Sequence, residues 1–292
     1  MNFQRLRALF FAALLATTGL APALAQGLVL AVNEGVTYRV SNDEIRARFA
    51  GIAADLSQLL GQPVRVEPVG DYTSLRKGLA AKSFDLALVH PAHVSIAAIK
   101  AQGYRLVVVT KGYQDYAARF LVRADSTLTQ LSDLRGRKLG APDEDSITSW
   151  MARAALRDAL GGAGAGAGAG SGPDATKALS NAVNISYTRY QDAVPFMVQH
   201  TFTQAGATAS AAVVKQWLAQ GGKVLATSKA VPIKHIIASP AISDEQVRQL
   251  RDYFVGLDTT EAGRKKLEAV KVQGYAVFDS AALLQLGTWL GL

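Results

Sequence analysis

The chain alternates short apolar runs with segments whose apolar residues recur at helical spacing. Uninterrupted apolar runs predict buried strands, and apolar positions three and four residues apart predict amphipathic helices. The first predicted strands span residues 27–33, 64–68, 84–89 and 105–110, and helices begin between them at Ser41, Asp71 and Ala92. Such alternation predicts an α/β fold with a mostly parallel sheet and helices on both of its faces.

A second α/β unit follows the first. Its predicted strands span residues 116–122, 137–140, 183–187, 207–212 and 223–227, and a further apolar strand is predicted at 233–239 after this unit. Its predicted helices span residues 146–160, 190–200 and 213–220, and three helical segments at 243–257, 260–269 and 279–290 close the chain. The Gly/Ala-rich run at 161–172 interrupts this unit and is interpreted as a flexible surface insertion, because it lacks the Lys-Ser/Thr ending of a phosphate-binding loop.

The amino terminus has the pattern of a secretory signal peptide. Arg5 and Arg7 precede an apolar run at 8–20, and Ala23-Leu24-Ala25 forms a small-x-small cleavage site. No later run reaches the roughly 18 apolar residues of a membrane-spanning helix. Residues 1–25 are therefore predicted to be removed near Ala25 from an exported, soluble protein.

Composition narrows the chemistry. The chain has no cysteine, which excludes disulfides, thiolate metal sites and a cysteine nucleophile. Its net charge of +8 becomes +6 without Arg5 and Arg7, which favours an anionic ligand. The basic residues are scattered rather than grouped in a stripe, so no nucleic-acid partner is expected.

Three hydroxyl residues cluster where one helix begins. Ser146, Thr148 and Ser149 follow the predicted strand at 137–140 and open the helix at 146–160. Helix starts carry unpaired N–H groups and the positive end of the helix dipole, so a tetrahedral oxyanion placed there meets backbone and hydroxyl donors together. Ordinary helix capping is the alternative, because Ser and Thr are favoured at helix starts in general.

Catalytic and metal sites are not expected. Ser146 has no identifiable His and acid partners, and no G-x-S-x-G motif is present. His90 and His93 lack an accompanying carboxylate cluster for a metal. The sequence thus predicts no enzyme, no metal and no cofactor, with an esterase that uses Ser146 as the competing hypothesis.

The ordered motifs resemble the phosphate/phosphite/phosphonate-binding (PhnD-type) solute-binding proteins of ABC importers. They are Asp71-Tyr72, Ser83-Phe84-Asp85-Leu86-Ala87, Tyr116 before Val122-Arg123-Ala124-Asp125-Ser126, Ser132-Asp133-Leu134-Arg135-Gly136-Arg137, Asp143-x-Asp145-Ser146-x-Thr148-Ser149, and Ser228-x-x-x-Pro232. The resemblance implies a two-lobed type II periplasmic-binding-protein fold in which each lobe is a mostly parallel sheet flanked by helices. It also implies crossover segments near 111–117 and 225–232, with lobe 1 formed by 26–114 and 229–292 and lobe 2 by 115–228.

The resemblance also implies a set of ligand-binding residues, namely Tyr72, His90, Tyr116, Ser146, Thr148, Ser149 and Tyr190. Ile147 interrupts the family's Ser-Thr-Ser run, so the register of the hydroxyls stays open. Tyr190 stands in the region where the family has a His. Acidic residues for a ligand ammonium are not evident near 205–212, so an amino-substituted ligand is disfavoured.

The expected function is capture of a small oxyanion by a monomer in the periplasm, for delivery to an ABC-transporter permease. A membrane sensor kinase or cyclase is the alternative partner. A sulfonate or other organic anion is the alternative ligand, because hydroxyl donors do not distinguish phosphorus from sulfur.

Overall fold

A computed structural model describes residues 27–35, 40–161, 179 and 181–292. The predicted signal peptide lies outside the described residues, as does the Gly/Ala-rich run apart from Gly161. The described chain forms two mixed sheets flanked by helices.

The first sheet has six strands in the order β11-β4-β10-β3-β1-β2. They are β1 (Leu28–Val32), β2 (Val64–Pro68), β3 (Leu86–Val89), β4 (Arg105–Thr110), β10 (His235–Ala238) and β11 (Tyr275–Ala276). Strand β1 pairs in parallel with β2 and β3, whereas β10 lies antiparallel between β3 and β4. The apolar runs of β1, β3, β4 and β10 are buried because helices cover both faces of the sheet, whereas β2 at its edge is only partly buried.

The second sheet has five strands in the order β7-β6-β8-β5-β9. They are β5 (Arg119–Val122), β6 (Lys138–Ala141), β7 (Asn184–Tyr187), β8 (Ala205–Thr208) and β9 (Lys223–Thr227). Strand β6 is parallel to β7 and β8, and β5 is antiparallel to β8 and β9.

Nine α-helices of the described chain flank the sheets. They are α1 (Asn42–Leu60), α2 (Tyr72–Ala80), α3 (Ala92–Gln102), α4 (Ile147–Gly161), α5 (Val194–Gln199), α6 (Ala211–Ala219), α7 (Asp244–Gly256), α8 (Glu261–Ala269) and α9 (Ser280–Leu290). Local signals set their ends: the Ser41 side chain accepts the Glu44 N–H at 3.1 Å, and Gly61 ends α1 with a φ of 67°.

Two paired segments connect the sheets. The chain passes from β4 to β5 and returns from β9 to β10, and these connections bond to each other. The N–H of Val231 donates to the carbonyl of Tyr116 at 2.8 Å, and the N–H of Ser228 donates to that of Ala118 at 2.8 Å. Tyr116 is thereby held between the sheets.

The sheets are mixed instead of mostly parallel, because β5 and β10, which adjoin the connections between the sheets, lie antiparallel to their neighbours. Three further details differ from the sequence prediction. Strand β8 ends at Thr208 instead of continuing to 212, because Ser210 caps α6 by accepting the Val213 N–H. Strand β11, with two residues, is too short to leave a periodic pattern. Strand β10 separates β3 from β4, a long-range pairing that local alternation does not reveal.

Candidate functional site

Ser146 and Ser149 at the start of α4 bond mainly to their own helix terminus. The N–H of Ser149 donates to Ser146 Oγ at 3.1 Å, which is the geometry of an N-cap, and Ser149 Oγ donates to the carbonyl of Pro142 at 2.9 Å. The N–H groups of Ile147 and Thr148 make no hydrogen bond to any described residue. The helix start therefore offers two backbone donors.

The Thr148 hydroxyl points away from the helix terminus to which the two serines bond. Its Oγ1 lies 3.5 Å from the Tyr116 hydroxyl and 3.5 Å from Gln191 Oε1. The side chain is 1% exposed, so the hydroxyl faces the interior between helix and crossover. Of the three predicted hydroxyls, the structure brings Thr148 together with Tyr116.

Gln191 joins this group, although the sequence prediction chose its neighbour Tyr190. Gln191 Oε1 accepts hydrogen bonds from Ala209 N at 2.6 Å, Ser210 N at 3.1 Å and Thr208 Oγ1 at 3.1 Å, and Nε2 donates to the Tyr116 hydroxyl at 3.0 Å.

Tyr190 lies outside this network. Its side chain is 44% exposed and Arg189 lies 5.2 Å from the centre of its ring. Gln191 opens the 3₁₀ turn before α5. The sequence carried no signal that favoured Gln191 over Tyr190, because the predicted helix began at Tyr190.

A charged contact joins the helices of the two sheets beside this group. Arg76 on α2 holds both carboxylate oxygens of Asp145, at 2.7 and 2.8 Å, and His93 Nε2 on α3 lies 3.2 Å from the same carboxylate. The His93 ring stacks on Trp150 of α4, with 5.0 Å between ring centres. The sequence prediction of the site did not include three of these residues, Arg76, Asp145 and His93.

Protonation in this contact follows from burial and charge. Burial lowers the pKa of His93, so the ring is neutral at pH 7 and Arg76 carries the positive charge. Burial acts to raise the pKa of Asp145, but the hydrogen bonds from His93 and Arg76 outweigh it and hold the pKa well below its usual value. Asp145 is therefore ionised and paired at neutral pH.

Tyr72 is the first residue of α2 and is half-buried. It lies one helical turn before Arg76, and residues four apart share a helix face. Because Arg76 contacts Asp145, the same face of α2 is turned toward the start of α4. Tyr72 thus shares the face of α2 that carries Arg76.

His90 follows β3 and presents an acceptor instead of a charge. Its Nδ1 lies 3.1 Å from the carbonyl of Ile233, and because a carbonyl only accepts, Nδ1 carries the proton. Burial lowers the pKa of His90 to about 4. The ring is neutral at pH 7, with the lone pair on Nε2.

The second crossover places a buried cation near the first. Lys234 is 8% exposed, and its Nζ lies 4.3 Å from the centre of the Tyr113 ring. Burial lowers its pKa, and the negative charge of Glu34 opposes that shift. Lys234 therefore adds a buried amine directly before β10.

The arrangement suits binding better than bond cleavage. Tyr116, Thr148 and the two free N–H groups of α4 are donors, and no base lies within hydrogen-bond distance of the Ser146 hydroxyl among the described residues. Within the same residues, no three His, Asp or Glu side chains gather as a metal site. No helix of the described chain is long and apolar enough to cross a membrane.

Two α/β units joined by paired crossovers, with donors converging where they meet, define a two-lobed solute-binding protein. A family model for the periplasmic substrate-binding protein of phosphonate ABC transporters matches residues 35–283, and the chain belongs to this family. Its members are binding proteins rather than enzymes. Among curated proteins, no sequence matches the chain.

Solved structures of low sequence identity share the fold. XAC2383 from Xanthomonas citri bound to ATP has a TM-score of 0.65 at 13% identity, with 90% of this chain and 96% of that chain covered. PhnD1 from Prochlorococcus marinus in complex with methylphosphonate has a TM-score of 0.57 at 15% identity, covering 90% and 96%. The aliphatic sulphonate-binding protein SsuA from Escherichia coli has a TM-score of 0.52 at 14% identity, covering 90% and 85%. The predicted family and type II fold are confirmed.

Proposed function

We propose that the protein captures a small oxyanion of the phosphate, phosphite or phosphonate type between its lobes and delivers it to an ABC-transporter permease. The observation that carries this proposal is the convergence of the Tyr116 and Thr148 hydroxyls, 3.5 Å apart, beside the free N–H groups at the start of α4. These donors suit an oxyanion, and the helix dipole adds a positive potential.

The proposed lobes are those predicted from the sequence, 26–114 with 229–292 and then 115–228. Tyr72 and His90 line the cleft from lobe 1, and Tyr116 lies on the crossover. Lobe 2 contributes Thr148 and the start of α4, and Ser146 and Ser149 support this helix start. Tyr190 borders the cleft on the same lobe. Arg76 and Asp145 meet across the cleft and stabilise the closed form around the ligand.

The proposed setting is the periplasm, after removal of residues 1–25, with the protein acting as a monomer. A sensor kinase in place of the permease is the second candidate partner. A sulfonate is the second candidate ligand, because hydroxyl and N–H donors bind sulfur and phosphorus oxyanions alike and the sulphonate-binding protein shares the fold.

A thermal-shift panel of phosphate, phosphite, methylphosphonate, sulfate, methanesulfonate and acetate tests the proposal. A ligand at about 100 times its dissociation constant stabilises the folded protein by about 2.7 kcal/mol, which raises the unfolding midpoint. We expect a phosphorus oxyanion to give the largest shift. A larger shift with methanesulfonate assigns the second ligand class, and no shift with any anion overturns the proposal.

A further inference from the structure

The Gln191 carboxamide has one allowed orientation. Ala209 N and Ser210 N, at 2.6 and 3.1 Å, can only donate, so the atom facing them is the oxygen. The amide NH₂ group must then lie on the opposite side, where the Tyr116 hydroxyl is 3.0 Å away. Geometry, and not a choice between indistinguishable atoms, fixes the direction of this hydrogen bond.

That direction determines what the Tyr116 hydroxyl can do. Because Gln191 Nε2 donates to it, the phenol oxygen accepts on the Gln191 side and its single proton points elsewhere. The nearest described partner for that proton is Thr148 Oγ1, which lies at 3.5 Å, the outer limit of a hydrogen bond. The Tyr116 proton is therefore left available for a ligand.

The acceptor side of the amide is fully used. Gln191 Oε1 accepts from Ala209 N, Ser210 N and Thr208 Oγ1, and Thr148 Oγ1 lies 3.5 Å from it. A ligand hydroxyl would find no free acceptor on this amide. A ligand oxygen that carries no proton, in contrast, can accept the hydrogen bond that the Tyr116 hydroxyl has left to donate.

We propose that Gln191 is a positioning residue that keeps the Tyr116 hydroxyl a hydrogen-bond donor, so that this part of the cleft binds an unprotonated oxyanion oxygen and discriminates against a ligand hydroxyl. This inference rests on the proposed oxyanion site. Gln191 thus influences which ligand oxygens bind, although it acts through the Tyr116 hydroxyl and does not need to touch the ligand.

Gln191→Glu is the decisive variant, because it preserves the shape and the bonds from Ala209 and Ser210 but replaces the NH₂ group with an acceptor. The Tyr116 proton is then drawn toward the new carboxylate. With methylphosphonate and methanesulfonate as calorimetric probes, we expect binding at pH 7 to weaken at least tenfold, or about 1.4 kcal/mol.

Charge repulsion alone would also weaken binding, so two controls separate the effects. Gln204→Glu adds the same charge at the other end of β8, where Gln204 Oε1 accepts the Lys138 N–H, and we expect it to bind as the wild type does. Gln191→Glu in a Tyr116→Phe background should cost less than about twofold, because no phenol proton remains to be redirected. An undiminished cost in that background identifies simple repulsion and overturns the inference.

A pH profile supplies the readout that a merely structural role would not move. Between about pH 6 and pH 4, around the usual glutamic acid pKa of about 4.3, the introduced carboxyl gains a proton and can donate again. Both probes stay monoanions throughout this pH range, so their own charge does not change. We therefore expect the loss of affinity of Gln191→Glu, relative to the wild type, to become smaller as the pH falls. A constant deficit contradicts the inference.

Folding and function are checked separately. If Gln191→Glu does not fold, Gln191→Met fills a similar volume without either polar group and should weaken binding only in the presence of the Tyr116 hydroxyl. A wild-type protein that binds neither probe overturns the proposed function together with the inference. A wild type that binds, with Gln191→Glu equally tight, overturns the inference alone.

Discussion

Arg76 and Asp145 form a two-pronged ion pair between α2 and the loop before α4, with Nη2 and Nη1 at 2.7 and 2.8 Å from the two carboxylate oxygens. Arg76 lies on α2, between β2 and β3 of the first sheet in the chain, and Asp145 lies between β6 of the second sheet and α4. The pair therefore stabilises the arrangement in which the two sheets approach each other, and this arrangement also brings the candidate donors together.

Asp145→Asn is expected to weaken ligand binding by favouring the open form. About two fifths of each side chain is exposed, at 42% and 38%, so water screens the pair. Partly exposed pairs contribute about 0.2–1 kcal/mol, which limits the loss of affinity to roughly fivefold. Calorimetry with the ligand found in the panel measures the loss, and small-angle scattering measures the opening.

A double-mutant cycle with Arg76→Gln tests whether the effect belongs to the pair. We expect the second substitution to add little once the first is made. Asp125→Asn is the matched control, because Arg123 and Asp125 pair at 3.0 Å within the region of the second sheet. An equal loss of affinity in that control would show that the cleft contact has no special role.

Substitutions at the start of α4 should separate ligand binding from helix capping. Thr148→Val keeps the buried shape but removes the hydroxyl, and we expect about 1.5 kcal/mol, or roughly tenfold, weaker anion binding, because hydrogen bonds to charged groups are of this size. Ser146→Ala removes the N-cap and should cost about 1 kcal/mol of unfolding free energy.

The two readouts are calorimetric affinity and urea unfolding for Thr148→Val, Ser146→Ala and Ser149→Ala. Ser149→Ala leaves the carbonyl of Pro142 without its donor and should also act on stability. Loss of binding in Ser146→Ala at unchanged stability would contradict this division of roles.

Local sequence signals accounted for most elements because their causes are local. Capping by Ser41, Asp71 and Ser243 and the αL residue Gly61 each act within a few positions, and the helices begin or end where these residues predicted. The register around Ile147 was not predictable in this way. Ser146, Thr148 and Ser149 have the same chemistry, and their directions depend on Pro142, Tyr116 and Gln191.

The contacts between the two sheets could not be predicted from sequence patterns either, because they join residues that are far apart in the chain. Arg76 and Asp145 are 69 positions apart, and each alone has the appearance of an ordinary surface charge. Gln191 is adjacent to the predicted Tyr190, and only the pairing of β8 with β6 and the cap of α6 bring Thr208 and Ser210 to its amide oxygen. Such partners follow from topology and not from residue type.

Gly206 is expected to be intolerant of a side chain. A Cβ there would lie 2.5 Å from Val194 Cγ1 and 2.7 Å from Val198 Cγ2, so Gly206→Ala would push α5 away from β8. Overpacking of this kind costs about 1–3 kcal/mol. Because Gln191 precedes α5 directly, affinity should fall as well.

Gly256→Ala provides the comparison, since no atom lies within 4 Å of a Cβ built there. Gly256 ends α7, and its substitution should leave the unfolding midpoint unchanged or raise it slightly. Urea unfolding of both variants measures the difference. A Gly206→Ala protein as stable as the wild type would refute the close contact between α5 and β8.

Stability is expected to fall as the pH is lowered from about 6.5 to about 4. Burial lowers the pKa of both His90 and His235 from 6.5 to about 4. Between these values the unfolded chain binds protons that the folded chain does not, so each histidine removes roughly 1.4 kcal/mol of unfolding free energy per pH unit. Above pH 6.5 neither state is protonated and the contribution is zero.

His235→Gln tests this assignment because the glutamine amide can still donate to the carbonyl of Pro232, which His235 Nε2 contacts at 2.9 Å. The variant loses some stability at pH 7, but its unfolding free energy should decline less steeply below pH 6.5. His90→Asn, which can donate to the carbonyl of Ile233, should flatten the profile further in combination. Urea unfolding across this range gives the slopes, and a slope as steep in the double variant as in the wild type would assign the acid sensitivity to other groups.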